Sequence, residues 1–145
     1  MRSGRQSDGE DAPYEARVVK RVLLVGQVPE TVDFSDPALP PGLDAQKIHA
    51  GIADSMRQMT QRGWQADVCL VRPDEAAGIE LERLLASATC DCVVVGAGVR
   101  NPPKNLLLFE VLINVVHKSA PSASIAFNTR PQDTADAAAR WLKGG

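Results

Sequence analysis

A chain of 145 residues, 44% hydrophobic and 23% charged, is long enough to bury a real core and too short for two ordinary domains. Its formal net charge of −2 gives no general attraction to nucleic acid or to an acidic membrane surface, and 4% aromatics leave little material for base stacking. No apolar run approaches the roughly 18–20 residues that cross a bilayer, so no membrane partner is expected.

Residues 1–16 are polar, charged and rich in Gly and Ser, and are read as a disordered tail. They contain no apolar stretch of the secretory-signal kind. Residues 17–145 are read as one α/β domain. The first strand is Val18 to Gly26, with its apolar half at the C-terminal end.

Gln27 to Leu43 carries Pro29, Pro37, Pro40, Pro41 and Gly42, so it is neither a helix nor a central strand. It leaves the carboxyl end of the first strand, where it is either a flap over a crevice or a passive insertion. Asp44 then caps a helix running to Arg62. Leu43 and Ile48 suit a hydrophobic staple, Ile48, Ile52, Met56 and Met59 repeat at helical spacing, and Gly63 is the stop.

The second strand is Ala66 to Arg72, followed by a helix from Glu75 to about Ala88 with Leu81, Leu84, Leu85 and Ala88 on its inner side. Asp91 to Ala97, with three successive valines, reads as a strand buried on both faces. Gly96 and Gly98 at its end permit close approach of a backbone or a ligand.

A third helix is expected from Pro103 to about Lys118. Its apolar residues spread over about 200° of the wheel, whereas packing on a sheet needs only a ~100° stripe. The excess implies cover by the flanking last helix or by a second chain. A symmetric homodimer with Val111, Leu112, Val115 or Val116 near its interface is the expectation. The fourth strand is Ser122 to Asn128, and the last helix runs from about Gln132 to Leu142.

Strictly alternating strands and helices imply right-handed crossovers and a doubly wound, three-layer α/β domain. The expected four-stranded parallel sheet has the order 2-1-3-4. Over residues 18–142 this strand–helix order resembles the flavodoxin-like and receiver-like group of small Rossmann-like proteins. The resemblance stops at the order of elements. Receiver domains carry acidic residues after the first strand and an aspartate after the third; here Val25-Gly26-Gln27 and Gly96-Ala97-Gly98 stand there. Flavodoxins carry a hydroxyl-rich phosphate loop after the first strand, where this chain has Gln27-Val28-Pro29-Glu30. Neither phosphorelay nor flavin binding carries over, and no cofactor is assigned.

Other motifs are thin. Gly96-Ala97-Gly98-Val99-Arg100-Asn101 begins like a dinucleotide fingerprint but ends in Asn, and no acidic residue stands about 20 positions on. No P-loop and no G-x-S-x-G elbow occur. Cys69, Cys90 and Cys92 lie in or beside apolar runs and read as reduced core thiols of a cytoplasmic protein, not as metal ligands. Glu110, Asn114 and His117 share a stripe of the third helix, read as a solvated face or a proton-transfer trio.

The candidate site comes from the loops at the carboxyl ends of the strands. Gly26, Gln27, Gly96, Gly98, Arg100, Asn101, Asn128, Thr129 and Arg130 are expected to line a crevice there, with residues 28–43 as its lid. Two arginines after successive strands suit a carboxylate or phosphate. The function expected is binding of a small anionic ligand. Two alternatives are an enzyme acting on that ligand, with Asp33, Asp36 and Asp44 as its best acid–base candidates, and a dimeric interaction module without a ligand.

Overall fold

The structure, a computed structural model, describes residues 19–142. The tail read at 1–16 lies outside the described residues. In chain order the elements are β1 (Arg21–Gln27), α1 (Ala45–Gln61), β2 (Gln65–Val71), α2 (Ala76–Ser87), β3 (Cys92–Val95), α3 (Ala97–Arg100), α4 (Leu106–Ser119), β4 (Ser124–Phe127) and α5 (Thr134–Ala139). Short 3-10 turns at Pro29–Thr31, Pro103–Asn105 and Pro131–Asp133 each begin with a proline, whose fixed φ suits a first helical turn.

The strands form one parallel sheet in the order β2-β1-β3-β4, as the alternation predicts. The register pairs Val25 with Cys69 on one side and with Val95 on the other, and Val95 with Phe127. Three loops therefore leave one edge side by side: Val28 onward after β1, Gly96 onward after β3 and Asn128 onward after β4.

Period-2 alternation sends successive side chains to opposite faces. Leu23, Val25, Val93 and Val95 pack with Leu81, Leu85, Leu112 and Val116 of α2 and α4. Val22, Leu24, Cys92 and Val94 pack with Met59 and with Ala135 and Ala138 on the α1 and α5 side. This is a doubly wound three-layer fold of the flavodoxin-like kind. Right-handed crossovers dictate the layering, because the connection from β1 to β2 runs opposite to those from β2 to β3 and from β3 to β4. Full burial of Leu81 or Leu112 contributes about 1.5–3 kcal/mol each.

Two local differences from the sequence reading have physical causes. The Gly-rich bend after β3 closes into the single turn α3, because Gly96 O accepts the amides of both Val99 and Arg100. The apolar surplus of α4 is covered on one flank by α2 and not by the last helix, which sits on the opposite face of the sheet. Gly78 permits this approach, since a Cβ there would lie 2.9 Å from Val111 Cγ1. Among the described residues no helix is long and apolar enough to cross a membrane.

Candidate functional site

At the carboxyl edge of the sheet lies a cavity of about 730 Å³, within the range of small-molecule sites. Its floor is the strand ends and the glycines. Gly26, next to last in β1, lies beside Leu70, and Gly96 lies so close to β1 that a Cβ would meet Val25 O at 3.3 Å. Nothing stands within 4 Å of a Cβ built on Gly98, so that backbone faces open space. One wall is the segment after β1, through Val32, Ala38, Leu39, Pro40 and Leu43. A second is the outer face of α1, through Lys47, Ile48, Ala50 and Ile52. The third is the pair of loops carrying Asn101 and Asn128–Gln132.

Eight of the nine residues read from the sequence line this cavity: Gly26, Gln27, Gly96, Gly98, Asn101, Asn128, Thr129 and Arg130. Arg100 does not. One turn of α3 carries its guanidinium to the carbonyl of Asn128, at 2.8 Å, and over the ring of Phe127, 5.6 Å from the centroid. Its Nε is buried without a partner. Arg100 ties the two loops together from behind.

The lining residues divide into a frame and a free set. Asn128 is 2% exposed; its Oδ1 accepts the Ala97 amide at 2.8 Å and its Nδ2 donates to Thr134 Oγ1 at 3.0 Å. Gln27 donates to the Thr31 carbonyl and hydroxyl and accepts from Asn105 Nδ2, which also reaches Gly98 O. The Thr129 hydroxyl donates to Asp133. Burial would raise the Asp133 carboxyl, but that hydroxyl, the Thr129 and Arg130 amides and the nearby Arg130 charge outweigh it and hold it below the usual range. Gln27 has spent both amide donors and Thr129 its hydroxyl on the fold, and Asn128 has spent one of its two.

The free set is smaller. The side chains of Asn101, Arg130 and Gln132 have no hydrogen-bond partner among the described residues, and Lys47 spends one of its three donors on Gly42 O at 2.7 Å. Among the described residues no Asp or Glu lines the cavity, so Lys47 and Arg130 are its charged lining. Lys47 and Gln132 escaped the sequence reading. The available signal was Asp44, whose carboxylate caps α1 by accepting the Lys47 amide at 2.8 Å and fixes where that first turn begins. Nothing in the helix periodicity says that this turn overhangs the sheet edge.

The 28–43 segment is held at several points. Val28 N–H donates to Val71 O at 2.8 Å, Glu30 meets His49 of α1 at 2.8 Å, and Asp33 meets Lys104 at 2.5 Å. The His49 hydrogen bond lowers the Glu30 carboxyl, and the Lys104 hydrogen bond brings that of Asp33 down to about 2. Beyond the segment is a second cavity of about 690 Å³, lined by Asp33, Asp36, Asp74, Glu75 and Lys104 among others.

The acid–base candidates therefore stand away from the crevice. Asp33 and Asp36 face the second cavity, and Asp44 is a helix cap. Glu110, Asn114 and His117 are exposed along α4, where Asn114 Nδ2 bonds the Glu110 carbonyl at 2.8 Å. The three cysteines are free; burial raises all three thiols, that of Cys92 to about 12. No group of three or more His, Cys, Asp or Glu suited to a metal occurs among the described residues. No protein-family model matches the chain, and no curated protein matches it in sequence.

Proposed function

We propose that the protein binds a small molecule bearing a carboxylate or phosphate in the crevice at the carboxyl edge of its sheet. One observation carries the reading: among the described residues, a cavity of ligand size is lined by two cationic side chains, Lys47 and Arg130, by two amides without a hydrogen-bond partner, Asn101 and Gln132, and by no carboxylate. Guanidinium and ammonium groups beside free amides are the donors an oxyanion takes up. The frame of Asn128, Gln27 and Asn105 holds the backbone open without competing for the ligand. Among the described residues no His, Cys, Ser, Asp or Glu lines the cavity, which favours binding over turnover. Three unpaired thiols suit a reducing, cytoplasmic setting.

The test is a thermal-shift screen over carboxylates, phosphorylated metabolites and nucleotides. A ligand at 100 times its dissociation constant stabilises the fold by about 2.7 kcal/mol. The account expects hits among anions, lost in the Lys47→Ala/Arg130→Ala double variant and kept in Arg100→Met. Hits that survive the double variant would remove these two side chains from the site.

A second reading concerns assembly. Leu106 is 62% exposed, Leu107 71%, Val111 36% and Ile79 of α2 55%. Of the four residues expected near an interface, Leu112 and Val116 are buried in the chain's own core and Val115 is half-buried, so an apolar surface on neighbouring helices favours a symmetric homodimer through the start of α4, with Val111 at its edge.

A further inference from the structure

The crevice is two-sided in chemistry. Its polar groups gather on the loops after β3 and β4 and at Lys47, while the other walls are aliphatic: Leu24, Leu39, Leu43, Ile48, Ile52 and Leu70. Several of these are only half-buried, although each would lose its hydration if an apolar group lay against it. A small inorganic anion would engage the cations and leave that aliphatic wall facing water. Among the described residues no Phe, Tyr or Trp lines the cavity to stack on a nucleobase or flavin ring. Nor does a Gly-rich phosphate loop follow β1.

We infer that the ligand is an aliphatic amphiphile, an oxyanion head on an apolar, non-stacking body, with the head at Arg130, Lys47 and Asn101 and the body against Leu39, Leu43, Ile48 and Ile52. The inference rests on the proposed function and specifies its ligand class. Charge complementarity fixes the direction of binding, because the cationic groups border the aliphatic wall, while the neighbouring carboxylates of Asp44 and Asp133 lie outside the lining and accept backbone amides. The Glu30–His49 and Asp33–Lys104 pairs hold the 28–43 segment as one side of the body's slot.

The experiment is a calorimetric titration of the full chain with butanoate, hexanoate and octanoate, with alkyl phosphates of the same lengths, and with the matching alcohols. Affinity for the anions should rise steeply with length, by up to about fifteenfold per two-carbon step, the ratio given by about 0.8 kcal/mol per buried CH2. Leu39→Gln should flatten that slope, weakening octanoate several-fold more than butanoate; Leu43→Gln is the second variant if the first unfolds by circular dichroism. Arg130→Ala should weaken every length by a similar factor, roughly tenfold or more. The carboxylate and phosphate arms identify the head. Anion binding that is flat with chain length overturns the amphiphile and leaves the anion site standing. Alcohols that bind as well as the anions overturn the anion site itself.

Discussion

Replacing Asn128 with Ala separates the frame of the crevice from its lining. The side chain is 2% exposed and spans from the end of β4 to the start of α3 and to Thr134. Removing it deletes two hydrogen bonds, each contributing a net of about 1 kcal/mol. It also strands the Ala97 amide in a residue only 9% exposed, and an unsatisfied buried donor costs about 1–3 kcal/mol. Thr134 suffers less, because its hydroxyl still donates to Pro131 O at 2.6 Å. The expected loss is about 2–4 kcal/mol, or about 6–12 °C in Tm at roughly 3 °C per kcal/mol for a chain of this size. Urea unfolding should show a lower midpoint with an unchanged slope. Thr134→Val should cost about 1–2 kcal/mol, and the double variant should show a coupling of about 1 kcal/mol. Asn101→Ala, which removes an exposed amide with no partner among the described residues, should stay within about 0.5 kcal/mol of the parent. An Asn128→Ala variant as stable as Asn101→Ala would refute the division.

Arg100→Met should cost about 1–3 kcal/mol through the lost bond to Asn128 O and the lost contact with Phe127, and leave ligand affinity unchanged; affinity that falls with stability intact would place the guanidinium in the site. Asp33 should titrate near 2 by carboxyl NMR and return toward 3.8 in Lys104→Ala. Because its folded pKa lies below the unfolded one, the tether is fully formed above about pH 4 and is lost as pH falls through about 2. Sedimentation at micromolar concentration should give twice the 15.5 kDa chain mass, and Leu107→Glu should return it to one; a monomer throughout would remove the α4 interface.

The sheet was legible because its signals are local. Val22 to Val25 and Cys92 to Val95 are apolar runs of strand length, set apart by Gly and Pro, and the handedness rule orders the strands they form. The crevice edge was legible for the same reason, since the strand ends locate it. The orientation of Arg100 was not. Two glycines make Gly96–Gly98 read as an open bend, and the acceptor for the Ala97 amide at the start of the turn that redirects Arg100 comes from Asn128, about thirty residues on. The covering of α4 was hidden likewise, because Gly78 reads as a weak point in a helix until Val111 is packed against it. Lys47 and Gln132 entered the site through the way α1 and the loop after β4 overhang the sheet, a tertiary fact that no single segment encodes.

A two-dimensional amide NMR titration of the chain with hexanoate reads the crevice residue by residue. The account predicts that the shifts cluster at Gly98, Asn101, Thr129, Arg130 and Gln132 and at Lys47 and Ile48 of α1. The amides of α2 and of the amino ends of the strands should stay in place. Shifts centred on Asp74, Glu75 and the start of α4, or a spectrum unchanged at millimolar ligand, would contradict it.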